Sequence, residues 1–184
     1  MAILIKLLII VAMFTSTRES KHSTTVKSYQ QERFYFTDNF IDTMKEHEGV
    51  KYYPYNCSAN HKTVGAGHII LPTDNFTYPL NDIEVERLLK LDLLKAYNCA
   101  KAETPIKRWD TFSNGQKMAI SKIIFHIGIG AYSKSQLKVK IDNNLDIEAE
   151  WLSWIYYTNK NGTKIKSDYM LKLRTFEIKL YYEK

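Results

Sequence analysis

The side chains best able to act together chemically lie in one short segment, residues 46–68, which reads EHEGVKYYPYNCSANHKTVGAGH. Glu48 stands where a helix is expected to end, directly before Gly49. A tyrosine-rich stretch then carries a thiol (Cys57), a hydroxyl (Thr63) and a glycine-rich turn that closes on His68. If that stretch folds back as a hairpin, Cys57 and Thr63 return toward Glu48. One carboxyl facing a pair of water-positioning groups is what glycoside hydrolysis with inversion requires. The acid protonates the leaving oxygen while water attacks the opposite face of the sugar. Glu46 is the nearest rival carboxylate, but no glycine follows it.

Other chemistries lack their motifs. There is no G-x-S-x-G and no Walker A sequence. Gly65-Ala66-Gly67 begins a dinucleotide-binding pattern, but Ile70 occupies the place of its third glycine. His47-Glu48 begins an H-E-x-x-H pattern, but Lys51 replaces the second histidine. No Cys/His cluster has zinc spacing, so neither a metal nor a cofactor is expected. Three Asn-x-Ser/Thr matches, at Asn56, Asn75 and Asn161, are read as unused, since one falls within the candidate site.

The elements that must hold these residues are legible from periodicity and caps. Asp38 is read as the cap of a helix running to about Glu48, with Phe40, Ile41 and Met44 on one face. Residues 50–68, rich in Tyr and broken by Pro54, Asn60 and Gly65, read as short strands and turns. Asn81 with Glu84 resembles a capping box. Ile83, Leu88, Leu89, Leu91 and Leu94 then supply a helical stripe toward Cys99, and Pro105 ends that segment. Ser113 and Gln116 open a second capped helix, whose Ala119, Ile120, Ile123, Ile124 and Ile127 mark it as the central core helix. Gly128 and Gly130 are expected to stop it. Further helices are expected around 135–143, 146–157 and 168–182. The order is a helix, a small β region, then helices only: an α+β fold dominated by helices.

The chain of 184 residues is one domain plus a leader. Apolar residues make up 45% and charged residues 25%, which excludes a disordered tail and a polytopic membrane protein. Residues 7–14 (LLIIVAMF) are an apolar run preceded by Lys6 and followed by a polar stretch. The run is too short to span a bilayer. Residues 1–17 therefore read as a signal peptide or signal-anchor segment, able to associate transiently with the inner membrane. Residues 18–33, rich in Ser and Thr, read as a flexible linker, and residues 34–184 as the folded domain. Net charge is +6, or +4 over residues 19–184, which leave out Lys6 and Arg18. That sign suits an acidic polymer, though it also serves solubility. No oligomer signal is present, so a monomer is expected.

Glu48, eight residues, Cys57, five residues, Thr63 resembles the E-x8-[D/C]-x5-T pattern of phage lysozymes, glycoside hydrolase family 24. The flanks are similar too: Gly49 after the Glu, Tyr55 two residues before the Cys, and Thr63-Val64-Gly65-Ala66-Gly67-His68 for T-[IV]-G-x-G-H. Farther on, Phe125-His126-Ile127-Gly128 resembles F-N-x-G, with His126 in the Asn place. Ser135-Gln136-Leu137 resembles S-x-L, and Trp151 and Trp154 sit in the segment matching the tryptophan-bearing helix. Arg174 and Glu177 fit the closing R-R-x-x-E, with Leu173 for the first Arg. The resemblance spans roughly residues 37–182.

It implies a lysozyme-like fold with a small β-hairpin region beside a cleft. It also implies a muramidase that cuts the β-1,4 bond between N-acetylmuramic acid and N-acetylglucosamine in peptidoglycan, without a cofactor or nucleic acid. Glu48 would be the general acid, kept protonated near neutral pH by partial burial. Cys57 and Thr63 would hold the water, and His68 would be structural, held by a carboxylate. An ordinary thiol, with a pKa of about 8.5, is mostly neutral at pH 7. Cys57 is therefore either a water-orienting group in the common Asp position, or the partner of Cys99 in a disulfide or an inert thiol. Together with the leader, this describes an exported enzyme of the periplasm or cell-wall space, used for host-cell lysis. The alternatives are a lytic transglycosylase, which needs no water-positioning pair, and a non-catalytic wall-binding or membrane-active protein on the same fold.

Overall fold

The computed structural model describes residues 36–57, 60–159 and 161–183. The leader and linker readings, 1–17 and 18–33, lie outside the described residues.

The first helix, α1 (Asp38–Glu48), is capped by Thr37 rather than Asp38. The Thr37 hydroxyl accepts the Phe40 N–H at 3.3 Å. Asp38 instead occupies the first turn, where a negative charge suits the helix dipole. Phe40, Ile41 and Met44 form the buried face. Gly49 ends the helix at φ +70°, ψ 155°, a region essentially reserved for glycine, and its N–H closes onto the Lys45 carbonyl. Glu48 is thus the last helical residue.

Three antiparallel strands follow in sheet order: β1 (Lys51–Asn56), β2 (Lys62–Gly65) and β3 (His68–Ile69). Tyr55 faces Thr63 and Asn56 faces Lys62 across β1 and β2, and Val64 faces His68 across β2 and β3. The β1 register is irregular between Lys51 and Tyr55, where Pro54 has no N–H to give the ladder. β1 lies open to solvent along most of its length, whereas Thr63, Val64 and Gly65 of β2 are buried.

Helix α2 (Asp82–Glu103) is capped by Asn81, which accepts the Glu84 N–H at 2.9 Å. Leu88 and Leu89 are buried as expected, but Ile83, Leu91 and Leu94 face solvent. Leucines this closely spaced cannot all share one face of a 3.6-residue helix. The buried face runs instead through Val85, Leu89, Leu93, Ala96 and Ala100. The helix continues past Cys99 to Glu103, and Pro105 separates it from the single turn α3 (Ile106–Trp109).

The core helix is α4 (Asn114–Ile127), opened by the Ser113/Gln116 capping box. Residues 118–124 are all buried, so this helix is enclosed on every side, with α2 and α8 (Asp168–Tyr182) packed against it. A Cβ added at Gly115 would sit 2.5 Å from the Leu180 carbonyl oxygen, so α4 and α8 approach more closely there than a side chain allows. Gly128 ends α4, but Gly130 does not; it lies inside the short helix α5 (Ile129–Ser133).

After α6 (Gln136–Asp142) and α7 (Glu148–Leu152), a 3-10 turn (Ser153–Ile155) leads into strand, not helix. The expectation of helices only is corrected here: β4 (Tyr156–Thr158) pairs antiparallel with β5 (Lys164–Lys166). The Asn159 side chain accepts the N–H groups of Asn161 and Thr163, each at 2.9 Å, and folds the connecting turn. The described residues thus form eight α-helices and two small antiparallel sheets, an α+β lysozyme-like architecture dominated by helices. None of the described helices is long and apolar enough to cross a membrane.

Candidate active site

Glu48, Cys57 and Thr63 line one cleft of about 650 Å³. Glu48 comes from the end of α1, Cys57 from just beyond β1, and Thr63 from β2. Cys99 of α2 and His126 of α4 line the same cleft. A single carbonyl ties the two sheet residues together. His61 O accepts the Thr63 hydroxyl at 2.9 Å and the Cys57 N–H at 3.0 Å. With its proton committed there, the Thr63 oxygen has lone pairs left to accept a hydrogen bond from water. Cys57 and Cys99 share the cleft, and no disulfide joins them.

The helical wall is a cluster of buried charges. The Glu48 side chain is 12% exposed, and Lys122 Nζ, wholly buried, donates to its Oε1 at 3.4 Å. Arg174 Nη1 lies 3.0 Å from Glu177 Oε2, both residues without exposed surface, and Trp151 Nε1 donates to the same oxygen at 2.7 Å. Burial pushes the Glu177 carboxyl up to about 6 against the pull of Arg174 and Lys122. Arg174 Nη2 also donates to His126 Nδ1. Burial, with the Arg174 and Lys122 charges, pushes His126 down to about 4, so it stays neutral and keeps its own proton on Nε2. Tyr169 donates to the His47 carbonyl at 2.6 Å, and burial and the nearby Glu48 push its phenol up to about 12.

The sheet wall is held by His68. Its Nδ1 lies 2.6 Å from Asp92 Oδ2 and its Nε2 lies 3.3 Å from Asp74 Oδ2. The Asp92 hydrogen bond raises the imidazole above its ordinary value against the effect of burial. Asp74 also accepts the Leu71 N–H at 2.7 Å, so this network pins the chain after β3 to α2.

Lys122, Asp74 and Asp92 are the site residues that sequence reasoning missed. Lys122 had a signal: a lone charge inside an apolar run, ISKII, on the helix read as the core. Asp92 had none, because it lies 24 residues from His68 on a helix with many charges.

A cleft lined by a helix-end carboxyl and by residues of a small sheet, on a mostly helical frame, is the arrangement of a lysozyme-type glycosidase. A sequence profile of the phage lysozyme family matches residues 45–171, and the chain belongs to that family. It is accordingly a muramidase, with the peptidoglycan of the bacterial cell wall as its substrate. Solved structures share the fold. The muramidase domain of SpmX from Asticaccaulis excentricus superposes with a TM-score of 0.70 at 18% identity, covering 83% of this chain and 100% of that one. The endolysin of Escherichia coli O157:H7 phage FAHEc1 gives 0.69 at 20% identity, covering 83% and 96%. A search of curated protein sequences finds no match.

Proposed function

We propose that Glu48 is the general acid of this muramidase and that Cys57 and Thr63 hold the attacking water on the opposite face of the sugar, so that cleavage inverts the anomeric carbon. The observation that carries this is the convergence of the three on one cleft, Glu48 from the end of α1 and the pair tied to one carbonyl of the sheet region. Thr63 can only accept from that water, which orients a water lone pair toward the sugar. Catalytic Asp is the commoner residue at the Cys57 position, and the thiol serves here to orient rather than to carry charge. The enzyme works beyond the inner membrane as a monomer, delivered by residues 1–17, and lyses the host cell. Its positive charge suits a wall polymer bearing peptide carboxylates.

The test is digestion of purified peptidoglycan, with fragments identified by mass spectrometry and the new anomeric centre by NMR. Glu48→Gln should lose about 10²–10⁴-fold in kcat while remaining folded, and retained activity would remove Glu48 from its role. Cys57→Asp should keep or raise activity; a folded but inactive Cys57→Asp protein counts against the water-holding role. Anhydro ends from the wild-type enzyme would mark a lytic transglycosylase instead.

A further inference from the structure

Among the described residues, the Glu48 carboxyl has one hydrogen-bond partner, Lys122. Lys122 sits in the middle of the seven consecutive buried residues of α4, beside Ile120, Ile123 and Ile124. Apolar packing gives no reason for an ammonium there. Burying one is costly unless it is paired, and the only oxygen it reaches by hydrogen bond is Oε1 of Glu48, at 3.4 Å.

We propose that Lys122 is a positioning residue for the reaction: it holds Glu48 from beneath the cleft and favours the carboxylate that forms as Glu48 gives up its proton. This rests on the assignment of Glu48 as general acid. In the step itself, the Glu48 proton passes to the glycosidic oxygen as the C–O bond to the anomeric carbon breaks. Water forms the new C–O bond and releases a proton to solvent, and solvent later reprotonates Glu48. Lys122 keeps its three protons throughout. Its charge is in place before the reaction, so it stabilises the product side of the proton transfer without reorganisation.

The surroundings leave this task to Lys122. On α8, Arg174 also bears on Glu48 through its charge, but its ion pair and hydrogen bond go to Glu177 and His126, and Tyr169 is a neutral phenol. On β1, burial first, then Cys57 and Glu48, keep Tyr55 protonated. On α4, His126 is neutral; on α1, burial and Lys122 together push His47 down. Burial pushes Lys122 down as well, while the Glu177 and Glu48 charges hold it up.

The test is the pH dependence of kcat for the full chain on peptidoglycan, wild type against Lys122→Met. Removing a cation this close should move the alkaline limb upward by about one pH unit or more. It should also lower the acid-side plateau roughly tenfold, as the acid becomes weaker, with KM unchanged. Lys122→Gln, which keeps an N–H donor without the charge, should show the same shift. Profiles superimposable on the wild type overturn the proposal. If the variants do not fold, wild-type NMR decides: the Lys122 Nζ resonance must move with the Glu48 carboxyl carbon on titration, and independent titrations overturn it. An active Glu48→Gln protein would instead bring down the general-acid assignment. An inactive one combined with an unshifted Lys122→Met profile brings down only the role of Lys122.

Discussion

On the helical wall of the cleft, Lys122, Arg174 and Glu177 have no exposed surface, whereas on the sheet wall His68, Asp92 and Asp74 keep 8%, 17% and 23% of theirs. Water can relieve an unpaired charge on the sheet wall but not on the helical one. Each helical charge therefore depends on a few fixed neighbours, and losing the oppositely charged one leaves a charge stranded. The sheet wall is looser, and its ion pair forms and dissolves as the pH changes. One wall holds the Glu48 carboxyl through Lys122; the other fastens the strands to α2.

The sharpest way to break this comparison is Arg174→Met. It leaves the Glu177 carboxylate buried without its cation and should cost about 3–5 kcal/mol in urea unfolding. The double variant Arg174→Met/Glu177→Leu should recover most of that, since a well-packed apolar pair replaces a buried ion pair at little cost. If the single variant is as stable as wild type, the helical wall is not what holds Glu48.

On the sheet wall, Asp92→Asn should cost less, about 1.5–3 kcal/mol at most, and the cost should depend on pH. The His68 pKa is raised in the folded protein, so its contribution is complete below about pH 6.5 and fades as the pH rises through the raised value. Burial opposes ionisation of Asp92, but its hydrogen bonds from His68 and Lys95 outweigh that and hold it below the usual carboxylate range. Its contribution is therefore complete above about pH 3.9 and is lost as the pH falls through the lowered value. The difference from wild type should peak between these limits and shrink on either side. A flat difference from pH 4 to 9 would mean that the contact is not ionic.

The smallest effect is expected from Thr37→Ala, which removes the cap of the helix carrying Glu48. It should cost about 1 kcal/mol, read as a modest fall in Tm with no change in pH dependence.

The fold was legible where local chemistry decides it. The Asn81 and Ser113 caps, the enclosed apolar run of α4 and the Gly49 stop all follow from residues a few positions apart. The three cleft residues were legible for the same reason: a helix end and a hairpin lie within 20 residues of each other. What escaped was set by distance or by competition between signals. Asp38 and Thr37 both cap helices well, and only the Phe40 N–H decides between them. Tyr156 and Tyr157 continue an apolar helical pattern, yet the Asn159 side chain turns the chain back and makes them a strand. Lys122 was hidden because a lone lysine on a helix usually faces water, and the carboxylate that admits it to the core lies 74 residues earlier.

The Tyr169 phenol caps the His47 carbonyl at the end of α1, across 122 residues of sequence. That carbonyl belongs to the last turn of the helix that presents Glu48, where backbone oxygens have no partner of their own. Arg174 and Glu177, which complete the wall beneath it, come from the same late helix. The end of the first described helix is therefore secured by the last described one, a clasp that joins early and late segments of the chain without passing through the sheet.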